Sequence, residues 1–492
     1  MVGEPLLVPG RNCWRIERAN RLALIVDAAD YFRRVKAAML KAKHSIMLIG
    51  WDFDTRIKFE PEEQRLEGPN HLGSFLSWLP RHRSKLRIYV LKWDLGMVQA
   101  LGRGMTPVFI LDWMTSKRLR FKLDAAHPIG AAHHQKIVVI DDAVAFCGGI
   151  DMTVDRWDTH QHLDDDPRRT KPNGKTSGPW HDATTAIDGA AARALGDLAR
   201  ERWRDATGER LEPAPGETDP WPEDLLPTIE HVDVAIARTL PALGDRQEVR
   251  EIETLYLDSI SRAERTIYIE TQYLASRRIA EAFARRLREP HGPEIVIVLP
   301  ETTKGWLEHR AMDGARQKLL HMLWRADLHK RLGIFYPVTT RGEAIYVHAK
   351  IMVIDDRLMR VGSSNLNNRS MGFDTECDLA VEVTPGSPDV ERLRETILSI
   401  RQDLLCEHLD VKPDAFSAAM KRVSGSLLRA VAALCGPGRT LKPFTPAEVD
   451  EDASALSENE LLDPERTPPS LAGRVSGDLL RLLAGVRVRR PQ

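Results

Sequence analysis

The sequence is poor in the features that mark several large classes of protein. Its five cysteines are scattered and form no CxxC pair, so neither a disulfide framework nor a cysteine-ligated zinc cluster is indicated. No apolar run approaches the roughly 20 residues of a membrane-spanning helix, and the N-terminus lacks the apolar core of a secretory signal. These absences predict a cytoplasmic or peripheral membrane protein, with export by a dedicated secretion system left open.

An excess of charge of either sign is also absent. Lys and Arg number 70 against 71 Asp and Glu, so the formal net charge is −1. Proteins that bind nucleic acid along a surface usually show a basic patch or a basic balance, and we expect no nucleic-acid partner. Any anionic ligand must therefore be held by a small local group of cations.

The chain does contain a duplicated segment. "HHQKIVVIDDAVAFCGG" begins at residue 133 and "VHAKIMVIDDRLMRVGS" begins at residue 347. Short strand-like runs alternate with helical patterns around both copies, and corresponding elements recur in the same order. The sequence therefore predicts an α/β fold of two pseudo-symmetric units, each a mixed β-sheet flanked by helices.

A stretch rich in Pro, Gly and acids at residues 206–227 separates the copies and is typical of a connector. We predict units at residues 1–208 and 209–408, followed by a helical or irregular extension at residues 409–492. At its end, residues 471–492 combine leucines and valines at helical spacing with five arginines. That pattern favours a helix that lies on an anionic membrane or docks on the rest of the protein.

The repeated histidine and lysine favour a phosphate-handling site. Alternate residues of a strand share a face, so His134 and Lys136 are expected to point the same way, as are His348 and Lys350. A neutral imidazole can attack phosphorus, and a lysine ammonium can hold the anionic oxygens. A single HxK pair is typical of a surface, but duplication at identical spacing favours function.

Zinc binding is the alternative explanation for the histidine-rich first half. Five histidines lie between residues 133 and 181: His133, His134, His160, His162 and His181. Their spacings fit none of the familiar zinc patterns, and a lysine two residues from His134 would repel a cation. We therefore expect no metal and no other cofactor.

The duplicated HxKx4Dx6G[GS] pattern resembles the signature of the phospholipase D superfamily. "GGIDMTVDRWD", "PWHD", "IYIETQYL" and "GSSNLNNRSMGFDTE" are similar to its eukaryotic-type branch, and the resemblance covers most of residues 20–405. Thr271 departs from the family pattern "IYIENQ", which has asparagine at that place. The resemblance implies a compact, bacterial-like member in which both motifs form one shared active site between the halves.

The resemblance also implies roles for the paired residues. His134 would be the nucleophile that forms a phosphohistidine. His348 would protonate the leaving alcohol and later activate water or an acceptor alcohol. Lys136 and Lys350 would contact the nonbridging phosphate oxygens.

The two copies differ beyond the lysines. Asn365 lies where the family has a phosphate-contacting asparagine, with Ser363 beside it as a second phosphate ligand. The first copy has Asp151 at that place, which we count as a pocket residue. An ionised aspartate cannot donate a hydrogen bond to phosphate, so the two halves are predicted to contribute unequally.

Acids downstream of each motif are candidates for holding the histidines in one tautomer. Within this chain "HDATTAIDG" aligns with "ECDLAVEV", which makes Asp182 and Glu376 the partners of His134 and His348, in that order. The resemblance indicates the same two acids. Strand capping or surface ion pairing is the alternative role.

Other positions are candidates either for the pocket or for the structural core. Glu270 and Gln272 alternate onto one face of a strand, where they line the pocket or form buried hydrogen bonds. Trp157 and Trp180 line a lipid entrance or pack in the core. The aspartates expected to be structural, at strand ends, are Asp141 and Asp355.

Phospholipid is the substrate class that the sequence favours. The eukaryotic-type segments, the balanced charge and the arginine-rich C-terminal segment support it. The resemblance implies a phospholipase D that hydrolyses glycerophospholipids to phosphatidic acid and a head-group alcohol, with transphosphatidylation as a second outcome. The alternatives are a cardiolipin-synthase-like phosphatidyltransferase, a nuclease of the same superfamily and a scaffold without turnover. We expect a monomer that meets its phospholipid at a membrane surface.

Overall fold

The computed structural model describes residues 4–94, 116–215, 218–302, 306–387, 389–445 and 463–464. Within these ranges, 16 strands form one mixed β-sheet, and a pair of two-residue strands stands apart from it. Helices cover both faces of the sheet. The predicted α/β class is confirmed. No helix in the described ranges is both long and apolar enough to span a bilayer.

The first half supplies the strands on one side of the sheet and three described helices. In chain order its elements are β1 (Arg15–Val26), α1 (Ala28–Leu40), β2 (Ser45–Gly50), α2 (Leu72–His82), β3 (Arg87–Trp93), β4 (Leu119–Asp124), β5 (Ile137–Ile140), β6 (Val144–Gly148), β7 (Trp180–His181), β8 (Ala183–Asp188) and α3 (Gly189–Thr207).

The second half repeats this plan. Its elements are β9 (Ile229–Leu240), β10 (Val249–Arg250), α4 (Glu251–Arg262), β11 (Thr266–Glu270), α5 (Arg277–Arg288), β12 (Glu294–Val298), α6 (Trp306–Ala326), β13 (Leu332–Val338), β14 (Tyr346–Val347), β15 (Ile351–Ile354), β16 (Leu358–Gly362), a π-helical turn (Arg369–Phe373), β17 (Glu376–Glu382) and α7 (Val390–Leu409). The elements that follow are α8 (Pro413–Arg422), α9 (Leu427–Leu434) and β18 (Thr440–Pro443).

The strand order shows the internal symmetry. It runs β18-β13-β12-β11-β15-β16-β17-β9-β1-β8-β6-β5-β2-β3-β4. Outward from the central β9–β1 contact, both directions repeat the same succession of antiparallel and then parallel neighbours. β1 and β9 pair antiparallel, with Arg15 opposite Ile236 and Leu22 opposite Ile229. The two units therefore continue each other as one sheet.

Alternation along the strands divides the core between the faces of the sheet. In β2, Met47 belongs to the cluster under α3 and α7, whereas Ile46 belongs to the cluster under α1 and α2. α4 and α5 cover the corresponding face of the second half. The cluster under α3 and α7 crosses between the halves, because it includes both Trp203 and Ile397. The halves therefore share a core as well as a sheet.

The connector and the C-terminal extension both pack on the sheet. Trp221 and Leu225 of the connector are buried in the core of the first half. The extension, predicted as helical or irregular, also adds a strand, because β18 pairs antiparallel with β13 at the sheet edge. Residues 471–492, which carry the predicted amphipathic helix, lie outside the described residues.

The aspartates of the two motifs fix the start of a neighbouring strand. Asp355 accepts hydrogen bonds from the backbone N–H groups of Glu264, Arg265 and Thr266 at 2.7–2.9 Å. Asp141 does the same for residues 43–45 at the start of β2. Both aspartates have left-handed backbone angles, with φ of 54° at Asp141 and 52° at Asp355. Their role in the described structure is structural, as the sequence predicted.

Asp355→Ala is expected to lower the free energy of unfolding by about 3 kcal/mol, because it removes the acceptor of three backbone N–H groups. Guanidinium denaturation of the variant measures this loss. Asp356→Ala is the matched control, since Asp356 pairs with the exposed Arg265 and its removal should cost less than about 1 kcal/mol. Equal losses in the two variants would contradict the role given to Asp355.

Candidate active site

The two HxK segments lie just before their strands rather than inside them. β5 begins at Ile137 and β15 at Ile351, one residue after each lysine. The sequence predicted that the HxK pairs lie on these strands, but the structure places them immediately before the strands begin. The cause is a different set of backbone partners, which come from the opposite half.

Each HxK segment pairs in parallel with a segment of the opposite half. β14 lies beside β7, and the backbone N–H of His348 donates to the carbonyl of His181 at 2.8 Å. In the other copy, the N–H of His134 donates to the carbonyl of Thr375 at 3.0 Å. The residues that follow these two carbonyls are Asp182 and Glu376. Parallel pairing therefore brings each histidine beside the acid of the other half.

The histidine–carboxylate pairs are consequently crossed. His134 Nδ1 lies 2.9 Å from Glu376 Oε1, and His348 Nδ1 lies 2.6 Å from Asp182 Oδ2. The order predicted from the alignment, Asp182 for His134 and Glu376 for His348, is wrong. Alignment within a half identifies equivalent positions, but the pairing across the pseudo-symmetry axis decides which side chains meet.

Both acids are buried and held by further hydrogen bonds. Glu376 accepts bonds from the hydroxyls of Ser363 and Ser370, the latter at 2.7 Å. Burial raises the pKa of Glu376 to about 8, and Lys136 and the two hydroxyls oppose that rise. Burial likewise raises the pKa of Asp182, against the charge of Lys350. Each carboxyl is therefore fixed in position before any ligand arrives.

Burial also favours the neutral form of both histidines. It lowers the pKa of His134 well below its ordinary value, and the ammonium groups of Lys136 and Lys350 lower it further. The pKa of His348 falls in the same way, through burial, then Lys350, then Arg156. Because Nδ1 of each ring faces a carboxylate, Nε2 is the atom left to face a ligand. The His134 side chain is 15% exposed and that of His348 is 6% exposed.

The two lysines belong to one site but have different surroundings. Lys136 Nζ forms an ion pair with Asp151 at 3.1 Å. Lys350 Nζ lies 3.5 Å from Gln272 Oε1 instead, whereas both ammonium groups donate to the carbonyl of the histidine two residues earlier. Burial lowers the pKa of Lys350 to about 7. The site is therefore symmetric in its histidines and asymmetric in its cations.

Asn365 and Ser363, both predicted as phosphate ligands, have different hydrogen-bond partners in the structure. Asn365 is buried, and its side-chain oxygen has no hydrogen-bond partner among the described residues. Ser363 instead directs its hydroxyl to Glu376, so it holds the acid. The structure therefore leaves the side-chain oxygen of Asn365 unpaired among the described residues, whereas the hydroxyl of Ser363 is engaged by Glu376.

The remaining predicted pocket residues separate into two groups. Gln272 and Trp180 lie at the site: Gln272 contacts Lys350, and the Trp180 ring centre is 5.1 Å from that of His348. Glu270 is buried and hydrogen-bonded to His181 at 2.8 Å, which is the alternative given for it from sequence. Trp157 lines a separate cavity with Phe59, away from the HxK segments.

Three residues at the site were missed from the sequence. Arg156 lies with its guanidinium carbon 4.3 Å from the Trp180 ring centre and acts on His348. Ser370 holds Glu376, and Trp51 faces His134 edge-on at 6.3 Å. Arg156 is part of "GGIDMTVDRWD", which the resemblance had already singled out. The other two carried no signal in the sequence, because serine and tryptophan have many ordinary roles.

Family models and curated proteins of the phospholipase D type match this chain. Residues 115–280 match the family described as phospholipase D, and residues 256–398 match that described as cardiolipin synthase, PLD-like domain. The chain is 25% identical to phospholipase D A of Dictyostelium discoideum over 73% of this chain and 32% of that protein. It is 23% identical to phospholipase D1 of Schizosaccharomyces pombe over 82% of this chain and 36% of that protein. The chain thus spans about a third of the length of these relatives.

A solved structure shares the architecture. Phosphatidylserine synthase of Haemophilus influenzae has a TM-score of 0.53 at 13% identity, covering 83% of this chain and 94% of that one. At this identity the likeness concerns the fold. A duplicated α/β sheet with two carboxylate-bound histidines and two lysines in one site defines a class of proteins that complete a single centre from two HxK motifs. The chain belongs to the phospholipase D superfamily.

The crossed pairing can be measured by double-mutant cycles on the free energy of unfolding. Glu376→Gln combined with His134→Ala should show a coupling of about 1 kcal/mol or more, because the two side chains are in contact. Asp182→Asn combined with His134→Ala should couple by less than about 0.5 kcal/mol. The reverse ranking would restore the pairing within each half.

Proposed function

We propose that the protein is a phospholipase D, which hydrolyses glycerophospholipids to phosphatidic acid and a head-group alcohol. The observation that carries the proposal is the pair of buried histidines, each with its Nδ1 on its own carboxylate. Two such groups can divide a phosphodiester displacement between a nucleophile and an acid. One chain supplies both halves of the site, so we propose the monomer, with units at 1–208 and 209–408, as the active form.

In the first step, Nε2 of His134 attacks phosphorus and the bond to the head-group oxygen breaks. Glu376 accepts the Nδ1–H of the ring and stabilises the positive charge that attack creates. Because the pKa of Glu376 is raised to about 8, the His134–Glu376 pair keeps an extra proton below about pH 8. Loss of that proton is needed before Nε2 can attack.

His348 supplies the proton to the leaving alcohol. Burial, and then the cations around the ring, lower the pKa of His348 in the absence of a ligand. A bound phosphodiester anion offsets those cations and favours the protonated imidazole, with Asp182 supporting its charge. The substrate therefore brings the acid into the form that the step requires.

Lys136, Lys350 and Asn365 are the proposed phosphate ligands. The asymmetry between them follows from Asp151, which neutralises Lys136 and not Lys350. Asn365 puts a neutral amide where the first copy has Asp151, so no carboxylate competes there for one nonbridging oxygen. Burial lowers the pKa of Lys350 to about 7, and a bound phosphate anion favours its charged form. Gln272 lies within reach of Lys350 and orients it.

The acceptor in the second step decides between hydrolysis and phosphatidyl transfer. Neutral His348 removes a proton from water, or from an acceptor alcohol, which then displaces His134 from phosphorus. Water gives phosphatidic acid, and an alcohol gives a new phosphodiester. Phosphatidyl transfer is the second candidate function, supported by the match of residues 256–398 to the cardiolipin synthase family. Phospholipid as substrate, met at a membrane surface, is supported by the names of the curated relatives.

Hydrolysis is tested with labelled phosphatidylcholine, phosphatidylethanolamine and phosphatidylglycerol in vesicles, and with an oligonucleotide as the competing substrate. We expect phosphatidic acid from the wild type and a loss of at least about 10³-fold in His134→Ala and His348→Ala. His160→Ala, an exposed histidine in the same half, should keep the wild-type rate. Cardiolipin formed from phosphatidylglycerol would favour transfer, and cleavage of the oligonucleotide alone would refute the phospholipid assignment.

The division of roles between the histidines is tested with an aryl phosphodiester that releases p-nitrophenol. This leaving group needs no proton, so His348→Asn should still complete the first step and then stall. We expect a burst of one p-nitrophenol per chain and an acid-labile label on the peptide that contains His134, read by mass spectrometry. His134→Asn should give no burst. A burst in His134→Asn, with the label on His348, would reverse the assignment.

A further inference from the structure

A second buried polar cluster lies directly behind the catalytic pairs, and the proposed reaction does not use it. It consists of Asp27, His162, His181 and Glu407, which we call the rear cluster. Asp27 immediately precedes α1, His162 lies in the polar loop after β6, His181 is in β7, and Glu407 is in α7. One potential ligand atom from each of the four lies within 4.8 Å of all the others. Four distant parts of the chain therefore converge on one point.

The separations match those of a tetrahedral metal site. Glu407 Oε1 is 2.8 Å from His181 Nδ1 and 3.2 Å from His162 Nε2. Asp27 contributes one oxygen near each ring, since Oδ1 is 3.6 Å from His181 Nδ1 and Oδ2 is 3.8 Å from His162 Nε2. Ligand atoms bound tetrahedrally at about 2.0–2.1 Å from a zinc ion lie about 3.3 Å from one another. The four distances fall on both sides of that value.

In each histidine of the rear cluster, the ring nitrogen that points away from the cluster contacts a carboxylate, as in metal-binding histidines. His162 Nδ1 lies 3.0 Å from Asp158 Oδ2, and His181 Nε2 lies 2.8 Å from Glu270 Oε2. Glu270 is itself fixed by the hydroxyl of Tyr268 at 2.6 Å. A ligating histidine usually donates its other N–H to a carboxylate, which sets the tautomer and aims the free nitrogen at the ion. Both histidines of the rear cluster have this arrangement.

The rear cluster also contains a carboxylate oxygen without a hydrogen-bond partner. Asp27 is 1% exposed, and its Oδ2 forms no hydrogen bond to any described residue. Four carboxylates lie at and around the cluster: those of Asp27, Asp158 and Glu270 are buried, and that of Glu407 is 12% exposed. An arginine reaches only the outermost of them, since Arg169 pairs with Asp158 at 3.1 Å. Burying this much negative charge requires compensating cations, which are either the protonated imidazoles of His162 and His181 or a bound metal ion that replaces their protons.

We propose that the rear cluster binds one divalent transition-metal ion, with Zn²⁺ preferred, as a structural site. Two imidazoles and two carboxylates suit zinc and its neighbours, whereas Ca²⁺ and Mg²⁺ prefer oxygen ligands alone. Four protein ligands leave no open coordination position for substrate. Binding displaces the protons shared between the imidazoles and Glu407, which pass to solvent. The Glu407 side chain, 12% exposed, provides the route of entry.

The ion would join α7 to the segment that carries His181 and Asp182. Asp27 Oδ1 accepts a hydrogen bond from the backbone N–H of Asp182 at 3.3 Å, and the carbonyl of His181 holds His348. Glu407 enters from α7, beyond the segment that matches the family. The metal site thus supports the Asp182–His348 pair from behind, and its existence does not depend on the proposed reaction.

The sequence had suggested that no metal binds, because the histidine spacings fit no zinc pattern. Two of the five histidines considered, His162 and His181, nevertheless meet in space. The other two ligands come from parts of the chain far outside that histidine-rich stretch. Spacing within a segment cannot reveal a site whose ligands lie on four separate elements.

Metal analysis of the full chain tests the proposal. Protein purified without chelator should contain about one zinc ion per chain, as measured by inductively coupled plasma mass spectrometry. After removal of metal, one equivalent of Zn²⁺ should raise Tm by about 5 °C. Co²⁺ should bind at the same stoichiometry and give the intense visible absorption of a tetrahedral ion, whereas Ca²⁺ and Mg²⁺ should change neither readout.

Variants locate the site. His162→Ala and Glu407→Gln should lose the bound zinc and the Tm shift, whereas His160→Ala, two residues from His162, should keep both. The double variant His134→Ala/His348→Ala should also keep both, which separates the rear cluster from metal captured at the active site. Circular dichroism confirms that each variant is folded. Metal-free wild type that shows no Tm shift with Zn²⁺, or a shift that survives in folded His162→Ala and Glu407→Gln, would overturn the proposal.

Discussion

The parallel backbone pairing between the halves is the interaction on which the rest of the site depends. The carbonyls of His181 and Thr375 each hold the N–H of a histidine in the opposite HxK segment. The next residue after each carbonyl is an acid, so its carboxylate meets that imidazole. The histidine of each HxK segment thus takes its carboxylate from the opposite half. A continuous sheet and a shared core under α3 and α7 hold the two halves in the register that this pairing needs.

Burial then decides the chemistry of the groups brought together. Removing the imidazoles from water and surrounding them with cations favours their neutral form. The same burial raises the pKa of the two acids. Symmetry ends at the position that holds Asp151 in one copy and Asn365 in the other. Asp151 forms an ion pair with Lys136, whereas the second copy has the neutral Asn365 at the equivalent position.

Local patterns were reliable where the physics is local. The strand-like runs and helical patterns that alternate around both copies correspond to strands and helices of the structure, with β5 and β15 directly after the two HxK segments. The capping role of Asp355 followed from its place at a strand end. The partner of each histidine was predicted wrongly, because alignment of the two copies compares positions within a half. The hydrogen bond from Ser363 to Glu376 and the contact of His162 with Glu407 each join segments more than a dozen residues apart. Local sequence patterns could not predict them.

The sequence by itself determined the duplicated α/β plan, the four HxK residues and the two acids, since each is set by composition, periodicity or a repeated motif. Only the tertiary structure decided which acid serves which histidine and which residues lie behind them. Those contacts form across the β1–β9 junction and from α7, where packing rather than sequence distance determines proximity. A repeat written twice along the chain thus specifies the parts of a site, and the antiparallel union of its two copies specifies their partners.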